Sequence, residues 1–150
     1  MESREGILQV LRELLGNQRL AVLSTHNSGQ PYASLVAFAC SDDLRLLYFV
    51  TPRTTRKFSN LQNDCRMALL ITSSANQETD FHEAMAVTVV GSAGEISGSE
   101  KERALNRYLE KHSYLEEFAR SPTCAFMKVN ARTYILVKNF QHVMEFHIKP

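Results

Sequence analysis

The chain has 150 residues, of which 44% are hydrophobic and 22% charged, and its formal net charge is +1. This length favours one domain, residues 1–150, with a substantial core, and the low Gly and Pro content excludes collagen-like and low-complexity sequence. The near-neutral charge argues against a nucleic-acid partner, and no apolar run reaches the roughly 18–20 residues of a membrane span.

The N-terminal segment and the cysteines indicate a cytoplasmic protein. Residues 1–19 place charges among their apolar positions, whereas a secretory signal needs an unbroken apolar stretch. Cys40, Cys65 and Cys124 form no CxxC pair. We therefore expect reduced thiols, with neither a disulfide framework nor a thiolate zinc site.

The chain opens with a predicted amphipathic helix over about residues 3–16. Its apolar residues from Ile7 to Leu15 recur at helical spacing and form one face. Ser3 is the expected N-cap, and Gly16 is expected to end the helix. We expect the apolar face to pack on the sheet that follows.

The next segment is predicted to be an antiparallel meander, because tight turns link its apolar runs. Its strands are expected at residues 20–25, 32–39 and 44–50. A short helix is predicted from Thr54 to about Gln62. It precedes a strand at Arg66–Thr72 and a polar loop at 73–83.

The second half of the chain adds further strands and helices. Met85–Ile96 is predicted as a strand with a bulge or bend at Gly91 or Gly94. Ser99 and Glu102 form a capping box for a helix that runs to about His112, followed by a helical turn at 114–119. The last strands are expected at 124–129, 134–138 and 143–148. Seven or eight mostly antiparallel strands with outer helices predict a β-barrel, because closure removes exposed edges.

The most informative segment runs from Thr51 to Lys57 and holds three cations and three threonines. No acidic residue occurs between Asp43 and Asp64. The segment coincides with the start of the predicted short helix, where unpaired amides and the helix dipole favour an anion. Hydroxyls, free amides, Arg and Lys together suit a phosphate dianion. Charge alone is also compatible with a solvated basic loop.

A second candidate segment is the strand Gln30–Phe38. Small residues at 33, 34 and 37 would let a flat ligand approach the strand backbone. Taken alone, the same pattern is typical of an ordinary sheet strand.

The two segments together resemble the pyridoxamine 5′-phosphate oxidase-like, FMN-binding split-barrel superfamily. The resemblance rests on GQPYASLVAF followed by LYFVTPRTTRKFSNLQNDCRMALLI, and it covers about Leu20–Ile71. It continues more weakly through VVGSAGEI within Met85–Ile96. The order and spacing of these motifs carry the resemblance, since each motif alone is weak.

The resemblance implies a mainly β fold with flanking helices, the mostly antiparallel FMN-binding split β-barrel. It also implies a homodimer with FMN in clefts between the subunits. Arg56 and Lys57 would bind the FMN phosphate, and Thr55 would add a hydroxyl. Val50 and Thr51 would flank the ring or the ribityl chain. The family's ring-contacting strand falls on Ser34, Leu35 and Val36, whose donors would lie along the isoalloxazine edge.

The sequence also departs from the oxidase itself. Ala39 stands where the oxidase has a substrate-binding Lys, and Ala86 where it has a ribityl-contacting Gln. Residues 139–150 lack its C-terminal substrate-contacting segment. These departures argue against vitamin B6 oxidation. The analogy is closer to flavin reductases, general-stress flavoproteins and small FMN electron carriers.

The resulting hypothesis is an FMN-dependent oxidoreductase or redox carrier acting on a small molecule. The flavin supplies the chemistry, so no catalytic residue and no metal ligand is assigned. The alternative is a non-enzymatic protein of the same fold that stores or senses flavin or haem, with His142 and His147 as candidate haem ligands. A deazaflavin cofactor and an empty scaffold are further alternatives.

Overall fold

The computed structural model describes residues 3–150 and contains seven strands. They are β1 Leu20–Asn27, β2 Gln30–Cys40, β3 Leu46–Pro52, β4 Arg66–Thr72, β5 Met85–Glu95, β6 Cys124–Lys138 and β7 His142–His147. The α-helices are α1 Arg4–Asn17, α2 Arg56–Asn63, α3 Asp80–Glu83, α4 Gly98–Lys111 and α5 Glu116–Arg120, and a 3₁₀ turn spans Ser113–Leu115.

The strands form a closed barrel. Their order along the sheet is β3-β2-β1-β4-β5-β6-β7, and β3 also pairs with β6, so six strands close on themselves and β7 extends the sheet. Every paired neighbour is antiparallel. The predicted fold, a mainly antiparallel split barrel with flanking helices, is confirmed.

The alternation of side chains along each strand separates an inner core from an outer face. In β3, Leu47 and Phe49 point into the main core, whereas Tyr48 and Val50 belong to a second cluster outside the barrel wall. Residues of α4 cover this second cluster, with Tyr108 almost wholly buried. The wall formed by β2, β3 and the first half of β6 is therefore buried on both sides.

Helix α1 packs its apolar stripe on the main core. Leu11, Leu14 and Leu15 are buried there, as the helical spacing predicts. Lys111 of α4 fastens the end of α1, because its Nζ donates to the Leu15 carbonyl at 2.8 Å and lies 3.9 Å from the centroid of the Phe38 ring. Burial lowers the pKa of this Lys to about 8.

A bulge in β6 creates the split in the barrel. One edge of β6 pairs with β5, while its other edge pairs first with β3, up to Asn130, and then with β7, from Thr133. The register against β5 shifts between Val90 and Gly91, which leaves Arg132 as the extra residue. A side chain at Gly91 would place its Cβ 2.2 Å from the Asn130 carbonyl oxygen. The predicted irregularity thus lies at Gly91.

Two predicted helix ends are wrong. Helix α1 continues through Gly16 to Asn17, because Gly16 does not adopt the left-handed backbone that ends a helix and Gln18 supplies the extended C-cap. Helix α4 begins at Gly98, whose φ is +67°, so Ser99 lies inside the first turn. No capping hydrogen bond of the Ser99 side chain occurs in residues 3–150.

Two further predictions differ from the structure. Residues 124–138 form one continuous strand rather than two, because β6 passes from β3 to β7 through the bulge without a turn. The polar loop 73–83 contains the short helix α3, and Asp80 stabilises the segment before it by accepting from the backbone amides of Ala75 and Gln77.

Two features are absent from residues 3–150. No helix in this range has the length and apolar character needed to cross a membrane. In the same range, no three His, Cys, Asp or Glu side chains gather in a way that could hold a metal ion.

Candidate functional site

The basic segment lies where β3 ends and α2 begins, and we call Thr51–Lys57 the strand–helix junction. Thr55 is the N-cap of α2, and its Oγ1 accepts from the Phe58 amide at 3.3 Å. The Thr51 and Thr55 hydroxyls lie 2.7 Å apart, and both are within hydrogen-bond distance of the Pro52 carbonyl. These bonds fix the turn that aims the first amides of α2 outward.

The three cations of the junction have different surroundings. Arg53 is engaged, since its guanidinium pairs with Glu95 and donates to the Pro122 carbonyl at 2.7 Å. Arg56 and Lys57 make no ion pair with any residue in 3–150, and the first turn of α2 carries no acid. Two cations therefore remain available to an anion at this helix start.

Arg56 and Lys57 also differ in exposure. Arg56 is exposed, and its guanidinium carbon lies 5.2 Å from the centroid of the Tyr32 ring on β2. Lys57 is half-buried, and this burial lowers its pKa. A dianion beside Lys57 would favour the charged amine and raise that pKa again. The junction thus holds one exposed cation and one partly desolvated cation.

Strand β2 has an unpaired edge next to the junction. It pairs with β1 from Gln30 to Ala37, but with β3 only from Phe38 to Cys40. The two strands therefore diverge beyond Phe38, at the height of Val50 and Thr51. We call the gap between the unpaired edge of β2 and the junction the cleft, and Tyr32 of β2 lies across it from the Arg56 guanidinium.

The hairpin register decides which β2 backbone groups face this cleft. The turn Ser28–Gly29 has two residues, both with positive φ, and such a hairpin closes on a pair that exchanges both hydrogen bonds. The even-numbered residues of β2 therefore bond to β1, as the Phe38 amide does to the Arg19 carbonyl. The N–H and C=O of Leu35 point to the open edge instead.

The side chains of the candidate strand residues take opposite directions. Ser34 points to the barrel side, where its Oγ is buried without a hydrogen-bond partner. Val36 is buried in the main core, whereas the Leu35 side chain is 60% exposed on the outer face. An unpartnered buried hydroxyl is costly, so a ligand that reaches Ser34 would remove a penalty.

Val50 and Thr51 are both buried. Val50 packs outward in the cluster beneath α4, and Thr51 is 1% exposed with its hydroxyl already bonded. Each can therefore offer a ligand only backbone atoms or a small part of its side chain. Thr55, Arg56, Lys57 and the Leu35 backbone form the accessible part of the predicted site, whereas the Ser34 hydroxyl is buried.

The arrangement fits a ligand with two chemically distinct parts. The free cations and helix amides suit a dianionic end, and the open β2 edge suits a flat body with hydrogen-bonding groups along one side. In residues 3–150, no acidic side chain pairs with the junction cations apart from Glu95 on Arg53. The charge balance of the site therefore favours an anion.

Two contributors to the site were not predicted. Tyr32 lies beneath the Arg56 guanidinium, and Asn60 of α2, almost fully buried, donates from its side-chain amide to the Thr25 hydroxyl at 3.0 Å. The hydrogen bond from Asn60 to Thr25 ties α2 to β1 and so positions the junction. Asn60 can be read from the sequence SNLQN as a polar residue on the predicted helix, but its partner on β1 is visible only in the fold.

A family model described as pyridoxamine 5′-phosphate oxidase matches residues 7–138, a range that contains β1–β6 and the whole strand–helix junction. No curated protein matches the sequence significantly.

Solved structures share the fold at low sequence identity. A haem-binding protein from Mycobacterium smegmatis has a TM-score of 0.84 and 16% identity, over 97% of this chain and 60% of that protein. A protein from Clostridium acetobutylicum related to general stress protein 26 of B. subtilis has a TM-score of 0.74 and 17% identity, over 97% of each chain.

A FAD-binding protein from Mesorhizobium loti has a TM-score of 0.69 and 15% identity, over 85% of this chain and 90% of that protein. At these identities the likeness is one of fold. The chain spans about three fifths of the length of the M. smegmatis protein.

Proposed function

The chain belongs to the pyridoxamine 5′-phosphate oxidase family, and from this premise we propose that it is a flavoprotein that binds FMN at the strand–helix junction. The observation that carries the proposal is the pair Arg56 and Lys57, which lies at a capped helix start without an acidic partner in residues 3–150. FMN ends in a phosphate dianion, which pairs with such cations and amides.

The remaining contacts follow from the open edge of β2. The Leu35 backbone N–H and C=O would meet the polar edge of the isoalloxazine ring, and the Ser34 hydroxyl would gain the partner that it lacks. Val50 and Thr51 would line the cleft mainly through backbone atoms, whereas the Val36 backbone is paired with β1 and its side chain lies in the main core. Thr55 would hold the helix amides toward the phosphate.

Bound FMN supplies hydride or single-electron transfer, and the chain supplies binding, orientation and exclusion of water. No residue is assigned as a general acid or base. The proposed reaction class is oxidoreduction or electron carriage with a small-molecule donor or acceptor. The departures at Ala39 and Ala86 count against vitamin B6 oxidation.

A comparison of FMN with riboflavin tests the proposal. The two flavins share the ring and the ribityl chain, so only the phosphate differs. We expect FMN to bind at least about a hundredfold more tightly, because each charge-assisted hydrogen bond contributes roughly 1.5–3 kcal/mol. Flavin fluorescence during titration of the purified protein measures both affinities. Equal affinities for FMN and riboflavin would show that the junction does not bind the phosphate.

We also propose that the protein is a homodimer joined through the outer face of β1, β4 and β5. Leu20, Leu35 and Leu70 are 52%, 60% and 42% exposed, and Val22 pairs with both Leu35 and Leu70. Thr88 and Ile135 continue the face across β5 and β6. An exposed apolar surface of this continuity is typical of an interface.

Adding charges to this face should separate the subunits. The double variant Leu20→Arg with Val22→Arg places two cations on each partner, so we expect the dimer dissociation constant to rise at least about tenfold. Phe118→Arg is the matched control, since Phe118 is 38% exposed on α5, away from this face. Sedimentation equilibrium measures the masses. A wild-type monomer at all concentrations, or an unchanged dimer in the double variant, would contradict the proposal.

A non-enzymatic flavin- or haem-binding protein is the second candidate, favoured by the haem-binding description of the M. smegmatis neighbour. His142 and His147 are five positions apart on β7, so their side chains point to opposite faces of the strand and one chain cannot direct both to one iron. Rapid-mixing spectra with NADH or NADPH separate turnover from storage. A Soret band after haem addition would favour the haem branch.

A further inference from the structure

A basic groove lies at the split of the barrel, where β6 leaves β3 and continues to β7. Its volume is about 500 Å³, which is within the range of small-molecule sites. One of its lining side chains, Asp43, is acidic, whereas four are cationic: Arg45, Arg66, Arg132 and Lys149. We call it the split groove. Because the whole chain has a net charge of +1, this surface concentrates positive charge.

Two of these four cations are available to a ligand. Arg66 is engaged, since its guanidinium pairs with Asp64 at 2.7 Å. Arg45 lies 3.9 Å from the Asp43 carboxylate. Arg132 and Lys149 are exposed, and neither forms an ion pair with a carboxylate of residues 3–150. An anion in the groove would therefore meet two cations that no protein group neutralises.

The β-bulge places Arg132 at this groove. Val90 pairs with Thr133 and Gly91 with Ala131, so Arg132 is the residue left out of the ladder with β5. A bulged residue has its side chain re-aimed, and such bulges are common next to binding and active sites. The Arg132 carbonyl accepts from the Ile148 amide at 2.9 Å. The backbone is thus fixed, and the guanidinium remains without a carboxylate partner in the described chain.

Hydrogen bonds tie the hairpin between β2 and β3 to the other walls of the groove. Asp43 accepts from the Ser41 hydroxyl at 2.6 Å and from the Arg45 amide at 3.0 Å. The Arg45 carbonyl accepts from the Ala131 amide at 3.0 Å, and its guanidinium donates to the Lys149 carbonyl at 2.6 Å. The groove is therefore formed before a ligand binds, which lowers the entropic cost of binding.

The floor of the split groove is apolar. Leu46 and Ile148 are half-buried, and Ala131 is buried. Ser92 and Asn130, which are paired neighbours on β5 and β6, add a hydroxyl and an amide to the lining. An apolar floor with exposed cations fits a molecule that has a carbon body and an anionic end.

The split groove is separate from the proposed flavin site. None of its lining residues in the described chain belongs to β2, to the strand–helix junction or to the apolar residues named for the dimer face. The β4–β5 ladder runs from the pair Thr72 and Ala86 at one end to the pair Arg66 and Ser92 at the other. The groove lies at the second end, so about 20 Å of strand separate it from Ala86.

We propose that the split groove binds a small organic phosphate. Arg132, Lys149 and Arg45 hold the phosphate, since guanidinium and ammonium groups donate charge-assisted hydrogen bonds to its oxygens. The carbon body packs on Leu46 and Ile148. Every group comes from one chain, so binding requires neither a flavin nor a second subunit.

The fluorescent probe 1-naphthyl phosphate tests the site, and 1-naphthol is its matched compound without the phosphate. The chain has no Trp, so Trp emission does not interfere. The titration uses Arg56→Ala with Lys57→Ala, because this variant has no free cation pair at the junction to compete for the phosphate. We expect saturable binding of 1-naphthyl phosphate, at least about tenfold tighter than that of 1-naphthol. Equal affinities for the two compounds would overturn the proposal.

Removal of the two free cations should abolish most of this binding. In the same background, Arg132→Ala with Lys149→Ala should weaken binding of 1-naphthyl phosphate at least about tenfold. The control is Arg103→Ala with Arg120→Ala, which removes two exposed cations from α4 and α5 and should change the affinity less than about threefold. Equal losses in the two variants would assign binding to net charge and overturn the proposal.

Asp43→Asn should change the affinity in the opposite direction. Its hydrogen bonds from Ser41 and Arg45 lower the pKa of Asp43, so the carboxylate is charged at neutral pH. An Asn oxygen accepts the same two bonds and keeps the hairpin, but it carries no charge. We expect 1-naphthyl phosphate to bind about threefold more tightly. Unchanged or weaker binding would overturn the placement of the phosphate beside Arg45.

FMN affinity separates a failure of this site from a failure of the flavin site. In the chain with an intact junction, Arg132→Ala with Lys149→Ala should change FMN affinity less than about threefold. If that variant loses both FMN and 1-naphthyl phosphate binding, the groove and the flavin site are one, and the proposal is overturned.

Discussion

Replacement of both Arg56 and Lys57 by Ala should reduce FMN affinity at least about a hundredfold, to the level of riboflavin. In the proposed complex each side chain supplies a charge-assisted bond to the phosphate, worth roughly 1.5–3 kcal/mol, and neither has an acidic partner in residues 3–150 that would be left unpaired. Quenching of flavin fluorescence measures the affinity. Circular dichroism and the thermal midpoint should stay close to wild type, because both side chains lie at the surface end of α2.

Arg53 provides the matched control for this result. It lies in the same junction, but Glu95 and the Pro122 carbonyl already occupy its guanidinium. Arg103 is exposed on α4. Arg53→Ala with Arg103→Ala therefore removes the same number of charges, and we expect FMN affinity to change by less than about threefold, as for screened surface charges. If the control loses as much affinity as the double variant, net charge rather than the junction governs binding.

The pH dependence of FMN affinity provides a separate check on Lys57. Burial lowers its pKa in the free protein, and a bound dianion favours its charged form. Affinity is therefore complete below the lowered pKa and falls as pH rises through it. Lys57→Arg keeps the charge at all accessible pH values, so it should flatten the fall. If FMN affinity falls with pH in Lys57→Arg as it does in the wild type, Lys57 does not contact the phosphate.

The fold was predictable from the sequence because local signals agree with the tertiary arrangement along most of the chain. The strand at Arg66–Thr72 was predicted at its observed bounds, since polar residues flank its apolar run on both sides. The N-cap at Ser3 was also predicted and is confirmed. The continuity of β6 was not predicted, because Asn130 to Thr133 carry no apolar alternation and the bulge depends on partners distant in sequence.

For the candidate site, too, some features could be predicted from the sequence and others could not. The positive charge, the threonines and the helix start at Thr51–Lys57 were readable from the chain. That Arg53 is engaged was not, because its partner Glu95 is 42 positions away. The open edge of β2 was also hidden, since it follows from the point at which β2 and β3 diverge rather than from any residue type.

Gly91→Ala should destabilise the protein by more than about 3 kcal/mol, the second large effect that the structure predicts. The new Cβ would lie 2.2 Å from the Asn130 carbonyl oxygen and 3.3 Å from the Ala131 Cα. Both neighbours are backbone atoms of β6, so relief of the clash requires the strand itself to move. Urea denaturation followed by circular dichroism measures the change in the free energy of unfolding.

Gly94→Ala on the same strand is the control, because nothing lies within 4 Å of its added Cβ. It should leave stability unchanged or raise it slightly by restricting the unfolded chain. Equal stabilities of the two variants would show that β5 and β6 are less closely apposed at the bulge than described.

The Gly91 variant also connects the fold to the proposed cofactor site. Asn130 is the last residue of β6 that pairs with β3, and this ladder runs from Leu46 to Pro52 at the junction. A displacement of β6 at Asn130 would therefore pass along β3 to Thr51 and the start of α2. We expect the folded fraction of Gly91→Ala to bind FMN more weakly than Gly94→Ala does, although neither glycine lies in the site. If Gly91→Ala is destabilised but binds FMN with unchanged affinity, the closure of the barrel does not control the phosphate site. The Thr51–Thr55 hydroxyl pair and the Asn60–Thr25 hydrogen bond would then be the contacts that position the junction.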